Sequence, residues 1–249
     1  MRIVVIGGSG YVGSLMLPGL AEAGYEVCVL DPAAPAGDVG WVRGSATDPA
    51  ALDAALDGAD AVIHSAMGRP GPDGTRDPES SFSVLVTSVF TTLAAAARAG
   101  VMRAVLIGSL SVFAGQPVPV TDRMADETSP PDAADAYGLA KRLAEQVGQA
   151  AAQAHNMTVT VLRLGWPTTE SAWPAWALPS FPAPAVIRRA DGTPVPALAA
   201  SDLTAAVLAA LSRDGGGFEA VHIVAEDDSG RCWSTAKARA LLGWQPRRR

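Results

Sequence analysis

The sequence predicts an α/β fold, a doubly wound parallel sheet followed by a small C-terminal portion. Short apolar runs alternate with longer helical stretches, which is the order of parallel strands joined by helices on both faces of a sheet. The 249 residues are 49% hydrophobic and 18% charged, so the chain is globular and long enough to bury a large core. One compact unit is expected.

The predicted elements follow this alternation from end to end. Strands are predicted near residues 2–7, 26–30, 41–43, 60–64, 103–108, 158–163 and 219–224. Helices are predicted near residues 11–23, 49–56, 79–99, 137–154 and 201–212, with a short one near 234–242. Two proline-rich segments, 115–135 and 166–196, follow the carboxyl ends of strands, where open α/β sheets bind ligands.

The first strand leads into a glycine motif, Gly7-x-x-Gly10-x-x-Gly13, that opens the first predicted helix. The second apolar run ends on Asp31. This order is typical of a dinucleotide site, in which glycines permit a tight turn and close approach of a pyrophosphate. The helix N-terminus offers backbone N–H groups to the phosphates. The alternative is an ordinary glycine-rich turn, and Asp31 argues against it.

Charge and composition disfavour several other classes of function. The formal charge of −6 and the pI near 5.0 disfavour binding to nucleic acid or to an anionic membrane. Two cysteines and three scattered histidines predict no metal site. No apolar stretch reaches the ~18 residues of a membrane helix, and the short apolar N-terminus does not resemble a signal peptide. A cytoplasmic protein is therefore expected.

Tyr137 and Lys141 lie four residues apart on a predicted helix, and hence on one face of it. The ammonium is expected to favour the phenolate and lower the pKa of the tyrosine, which suits acid/base chemistry. Ser109 ends the predicted strand at 103–108 and could donate a hydrogen bond to a substrate oxygen. Taken singly, the Tyr–Lys spacing is more often a chance pair on a helix surface, and the serine is more often the start of a loop.

In combination these motifs resemble the extended short-chain dehydrogenase/reductase family, the NAD-dependent epimerase/dehydratase group. The resemblance spans almost the whole chain. Its segments are the glycine motif, His64-Ser65-Ala66, Arg98-Ala99-Gly100-Val101, Ser109, Tyr137-Gly138-Leu139-Ala140-Lys141, Arg163-Leu164-Gly165 and Leu241-Leu242-Gly243-Trp244-Gln245-Pro246.

The resemblance implies a Rossmann sheet, bound NAD and a Ser–Tyr–Lys catalytic group. Tyr137 would be the acid/base, Lys141 would also hold the nicotinamide ribose, and Ser109 would orient the substrate oxygen, with Ser111 as the fallback. Asp31 would accept hydrogen bonds from the adenosine ribose and repel a 2′-phosphate, which favours NAD over NADP. The implied cofactor-binding residues are Gly7, Gly10, Tyr11, Val12, Asp31, Ser45, Ala46, Ser65, Ala66, Tyr137 and Lys141.

The chain departs from the family pattern at several places. Ser45 stands where the family has an aspartate beside adenine, Leu85 where it has an asparagine, and Phe113 where it has a tyrosine. The C-terminal part, predicted as a small substrate-binding portion at 166–249 after an NAD-binding domain at 1–165, is short. No Lys or Arg occurs in 166–184 to hold a nucleotide diphosphate.

The chain is also similar to uronate dehydrogenases, in its compact length and its Arg231-x-Trp233 pattern. Trp166 stands where those enzymes have a serine that contacts the sugar carboxylate. We therefore expect a substrate smaller or more apolar than a nucleotide sugar. Ser111, Trp166 and Trp173 are the predicted substrate-binding residues, although the tryptophans could equally be packing residues.

Three functions remain open at this point. The first is hydride transfer between NAD and a secondary alcohol or ketone of a sugar-like or small cyclic substrate. The second is epimerisation or dehydration of a (nucleotide) sugar. The third, motivated by the substitutions at Ser45, Leu85 and Phe113, is a non-redox or NAD-sensing protein on the same scaffold. A homodimer that pairs the helices near 79–99 and 137–154 is also possible.

Overall fold

A computed structural model describes residues 1–68, 77, 79, 82–114, 126–189, 191–226 and 233–247 of the chain. Its centre is a seven-stranded parallel sheet with the strand order β11-β6-β5-β4-β1-β2-β3. The seven strands are β1 (Arg2–Ile6), β2 (Glu26–Asp31), β3 (Gly40–Arg43), β4 (Ala61–His64), β5 (Arg103–Ser109), β6 (Thr158–Leu164) and β11 (Gly217–Ile223). All seven predicted strands are confirmed.

Six α-helices are described, and they cover the two faces of the sheet. They are α1 (Tyr11–Glu22), α2 (Pro49–Leu56), α3 (Ser88–Arg98), α4 (Ala136–His155), α5 (Ala200–Leu211) and α6 (Ala236–Leu242). The helix predicted near 79–99 differs in detail, because a π-helical turn, Ser83–Thr87, precedes α3. Residues 80 and 81 of that prediction lie outside the described residues.

Alternating side chains of the buried strands form a core on each face of the sheet. Ile3 and Val5 pack in one core with α1, α5 and α6. Val4 and Ile6 pack in the other with α2, α3 and α4. Two-sided burial explains why these strands are continuous apolar runs in the sequence. The doubly wound α/β prediction is confirmed.

Short elements occupy the region between β6 and α5. Two-residue strands β7 (Pro167–Thr168) and β10 (Leu198–Ala199) pair in parallel, and β8 (Ile187–Arg188) and β9 (Pro194–Val195) form an antiparallel hairpin. Because α5 and β11 then rejoin the main sheet, the C-terminal part also contributes to the Rossmann core. The division at 165 stays a prediction.

The sheet edge formed by β6 and β11 is fixed at its amino end by Arg213, which is 5% exposed. Its guanidinium donates to Thr160 Oγ1 at 2.9 Å and to the carbonyl oxygens of Gly216 and Gly217 at 3.0 and 2.8 Å. This clamp lies at the opposite end of β6 from the predicted site.

Among the described helices, none combines the length and apolarity that a bilayer crossing requires.

Candidate active site

The glycine motif forms the turn between β1 and α1. Gly7 has a φ of +78°, and a Cβ at this position would collide with the backbone of Ala66 after β4. Gly10 is the N-cap of α1, and no side chain caps this helix end. The first-turn N–H groups at Tyr11 and Val12 therefore point out of the helix, where an anion such as a pyrophosphate would accept their hydrogen bonds.

Asp31 ends β2 beside this turn. Its carboxylate accepts hydrogen bonds from Ser9 N at 3.3 Å and Ala33 N at 2.9 Å, which fix it at the mouth of the crevice. A carboxylate has about four acceptor positions, so ribose hydroxyls could bind there as well. The register of β2 and β3 places Arg43 directly opposite Asp31, a neighbour that sequence distance concealed.

The remaining predicted cofactor-binding residues follow the ends of β3 and β4. Ser45 is exposed and its hydroxyl bonds Thr47 Oγ1 at 2.8 Å, while the carbonyl of Ala46 accepts from Thr91 at 2.7 Å. The Ser65 hydroxyl is buried without a hydrogen-bond partner in the described part of the chain. An uncapped helix end, side-chain-free glycines and this orphaned hydroxyl together fit a dinucleotide.

Ser109 and Tyr137 are brought together by a close contact between two turns. Residues 110–112 form a 3₁₀ turn after β5, and a Cβ on Gly138 would collide with the Ser111 carbonyl oxygen. The first turn of α4 can therefore pack directly against the turn that follows Ser109. Ser109 Oγ accepts from Ser111 N at 3.1 Å, which leaves its proton to be donated to a substrate oxygen.

Lys141 lies one helical turn beyond Tyr137, and its ammonium is buried. It is 9% exposed and donates from Nζ to the Ile107 carbonyl oxygen at 2.7 Å. The nitrogen lies 5.9 Å from the centre of the Tyr137 ring. The phenol is half-buried. A positive charge is therefore held next to the phenol that is predicted to exchange a proton with a hydroxyl.

His64, which the sequence analysis identified only as part of a motif, is buried and neutral. It lines the same small cavity as Lys141. Burial lowers the pKa of His64 to about 3, and the charge of Lys141 contributes to the shift. The Ser88 hydroxyl donates to the Val84 carbonyl oxygen, so it accepts from His64 Nε2–H at 2.7 Å. The residue therefore supports the π-helical turn that contains Leu85.

The proline- and tryptophan-rich segment after β6 is fixed to α1. The Tyr11 hydroxyl donates to the Ala177 carbonyl oxygen at 2.5 Å, and burial raises the pKa of Tyr11. Trp166 is half-buried and packs against an apolar cluster that includes Phe113 and Trp233. Trp173 is also half-buried. That Trp166, Trp173 and Ser111 bind substrate stays a prediction, and Arg231 lies outside the described residues.

We predict that His222 makes folding sensitive to acid. It is fully buried, and burial, aided by Arg163, lowers its pKa to about 3, whereas an unfolded histidine titrates near ~6.5. Below that value the unfolded state binds the extra proton, so stability is lost as the pH falls. Below about pH 6 the free energy of unfolding of the parent should fall with pH. In urea unfolding experiments, this fall should be smaller in His222→Phe by about 1.4 kcal/mol per pH unit.

The phenylalanine ring of His222→Phe should fit this position, because His222 already packs edge-on against Phe113 and Trp233. The distances between ring centres are 5.8 and 5.2 Å. The exposed His155 provides a matched control, since His155→Gln should leave the slope unchanged. An unaltered slope in His222→Phe would contradict the assignment.

Comparison with known proteins agrees with this geometry. The model of the NAD dependent epimerase/dehydratase family matches residues 3–221. A 2-alkyl-3-oxoalkanoate reductase of Stenotrophomonas maltophilia is 33% identical over 172 residues, 67% of this chain and 51% of that protein. A UDP-glucose 4-epimerase of Azospirillum brasilense is 30% identical over 171 residues, 65% of this chain and 48% of that protein. The chain thus spans about half the length of the curated relatives it matches.

Solved structures show the same fold. A short-chain dehydrogenase/reductase superfamily protein from Agrobacterium tumefaciens with bound NAD has a TM-score of 0.81 at 20% identity, covering 100% of this chain and 93% of that one. A mutated uronate dehydrogenase has a TM-score of 0.78 at 19% identity, covering 99% of this chain and 82% of that one. The chain belongs to the NAD-dependent epimerase/dehydratase family, a family of enzymes whose cofactor is NAD.

Proposed function

We propose that the protein is an oxidoreductase that moves a hydride between NAD and a secondary alcohol or ketone of a sugar-like or small cyclic substrate. The observation that carries the proposal is the packing of the first turn of α4 against the turn after Ser109. We infer that this packing directs the Tyr137 phenol and the Ser109 hydroxyl, with the buried Lys141 ammonium beside them, toward one crevice. A protein that only binds NAD has no need of this trio.

Each residue then has a defined task. Ser109 donates its hydroxyl hydrogen bond to the substrate oxygen and holds the reacting carbon in place. Tyr137 takes the proton of the alcohol in the oxidative direction and returns it to the ketone in the reductive direction. The buried ammonium of Lys141 stabilises the phenolate that this exchange requires. When bound, NAD supplies the carbon that accepts or gives the hydride.

We further propose a substrate without a large anionic group. Of the two arginines that follow the tryptophan segment, Arg188 donates to the Gly192 carbonyl oxygen of its own hairpin at 2.9 Å. Arg189 is 4% exposed and so is not presented to solvent. Arg188 is therefore the one exposed cation among the described residues of 166–199. A compact alcohol or ketone fits this environment better than a nucleoside diphosphate does, because both phosphates of a diphosphate attract cations. The Stenotrophomonas relative, a 2-alkyl-3-oxoalkanoate reductase, agrees with a non-nucleotide substrate.

Epimerisation or dehydration is the second candidate, and the likeness to the Azospirillum UDP-glucose 4-epimerase favours it. The two activities differ in the fate of the hydride, which an epimerase returns within one turnover. NAD that stays bound through purification, with no net change of nicotinamide absorbance in the presence of a nucleotide sugar, would select this alternative. NAD binding without turnover of any substrate would select a sensing role.

We predict that Tyr137→Phe removes the proton donor and lowers kcat by about 10²–10⁴-fold. Nicotinamide absorbance over a panel of sugars and cyclic ketones gives the parent rate and the variant rate. Tyr25→Phe is a matched control, since Tyr25 is half-buried and packs against the core that contains Ile3 and Val5. A Tyr137→Phe protein that turns over as fast as Tyr25→Phe would refute the assigned role.

We predict that Asp31→Ser changes the preference between the two nicotinamide cofactors. Loss of the carboxylate should weaken NAD about tenfold and strengthen NADP, because Arg43 then faces the 2′-phosphate without an opposing charge. Titration calorimetry with each dinucleotide measures both effects. Asp38→Ser, in the exposed loop before β3, should alter neither affinity. Unchanged NAD affinity in Asp31→Ser would contradict the ribose contact.

We also propose a homodimer formed through the outer face of α3 and α4. Phe90 on α3 is 61% exposed, and Phe82 and Leu139 line an adjacent groove. Exposed aromatic side chains beside an apolar groove are typical of protein interfaces. We expect Phe90→Glu to be monomeric in sedimentation experiments at concentrations where the parent is dimeric. Met102→Glu, which places a charge at another exposed apolar residue, is the control. A monomeric parent would reject the interface.

A further inference from the structure

Three buried charged side chains lie directly behind the reacting tyrosine. Lys141 and Glu145 are one turn apart on α4, and Arg163 extends from β6 toward them. They are 9%, 8% and 5% exposed. Lys141 and Glu145 line the same small cavity together with His64. A lysine and a glutamate at this spacing on one helix face ordinarily pair with each other.

Glu145 instead gives both of its oxygens to Arg163. Nε donates to Oε1 at 2.9 Å and Nη2 donates to Oε2 at 2.8 Å, a two-pronged arrangement that occupies the carboxylate. The guanidinium is held in place from its other side by Phe113, whose ring centre lies 5.3 Å from Cζ. The Lys141 Nζ donates to the Ile107 carbonyl oxygen at 2.7 Å.

We propose that Arg163 is a positioning residue that keeps Glu145 from capturing Lys141. With the carboxylate occupied, the ammonium stays at the end of β5, where it faces Tyr137 and the cofactor crevice. If Arg163 were absent, the nearest uncompensated carboxylate would draw Lys141 back along the helix and neutralise its charge. This inference rests on the roles proposed above for Tyr137 and Lys141.

The charge inventory around Lys141 supports this assignment. Among the described residues that line the cavity around Lys141, helix α4 contributes the carboxylate of Glu145 and β4 contributes His64, while α3 and the π-helical turn contribute the apolar Val89 and Leu85. His64 is neutral at physiological pH. Glu145 is thus the carboxylate of this lining, and its position affects how much of the lysine charge reaches the phenol.

The test compares Arg163→Met with the double variant Arg163→Met/Glu145→Leu. In the single variant, the freed Glu145 should pair with Lys141, so the pKa of Tyr137 should rise by about one unit. Affinity for NAD should fall about tenfold, because the ammonium would turn away from the ribose. In the double variant the described lining of the cavity has no carboxylate left. The pKa of Tyr137 should then return to within about half a unit of the parent value, and the affinity for NAD to within about threefold.

Neither readout requires turnover. The chain has only three tyrosines, so the tyrosinate absorbance of each protein minus that of its Tyr137→Phe counterpart gives the titration of Tyr137 alone. Calorimetry with NAD gives the affinity. Arg213→Met is the matched control, since it removes a buried arginine from the far end of β6 and should lower the melting temperature without moving either value.

A folded Arg163→Met protein with parental titration and NAD affinity would overturn the proposal, and so would a double variant that does not recover. If Arg163→Met does not fold, Arg163→Lys replaces it. A lysine covers one carboxylate oxygen rather than two, so the shift should be partial and again absent from the double variant. Full activity of Tyr137→Phe would reject the proposed function, whereas the titration would still decide the role of Arg163.

Discussion

The site depends on one contact, that of the first turn of α4 with the turn after β5. Gly138 makes it possible, because any side chain there would collide with the Ser111 carbonyl oxygen. Asp135 caps the helix by accepting from Gly138 N at 3.0 Å. This contact fixes where α4 begins, so it also fixes which face of the helix meets the crevice. Tyr137, Lys141 and Glu145 lie on that face in succession.

Two charged side chains of α4, those of Lys141 and Glu145, are buried in the protein. A buried ammonium is costly unless it is hydrogen-bonded, and the Ile107 carbonyl oxygen, near the carboxyl end of β5, provides a partner. Glu145 and Arg163 compensate each other one turn further in. The phenol therefore lies near a fixed, buried cation, and a low dielectric constant would strengthen the effect of that cation on the proton transfer proposed for Tyr137.

Much of the fold and part of the site could be predicted from the sequence, for physical reasons. Buried parallel strands are continuous apolar runs, and the glycine turn has a fixed spacing, so both are visible locally. The proximity of Arg43 to Asp31 could not be predicted in this way, because it arises from the register between two strands. The pairing of Glu145 with Arg163 was also missed, since each residue taken alone is an ordinary helix or strand residue. A carboxylate four positions after Lys141 was the available signal.

We expect the two ends of the crevice to be coupled through α1, the helix predicted to bind the pyrophosphate. The backbone of Tyr11 lies in the first turn of this helix, and its hydroxyl donates to the Ala177 carbonyl oxygen of the tryptophan-rich segment. That segment is also tied to the sheet region, because Ala197 N donates to the Pro174 carbonyl oxygen at 3.0 Å. Tyr11 therefore links the dinucleotide position to the wall predicted to face the substrate. A shift of α1 on cofactor binding would reach this wall directly, through one hydrogen bond.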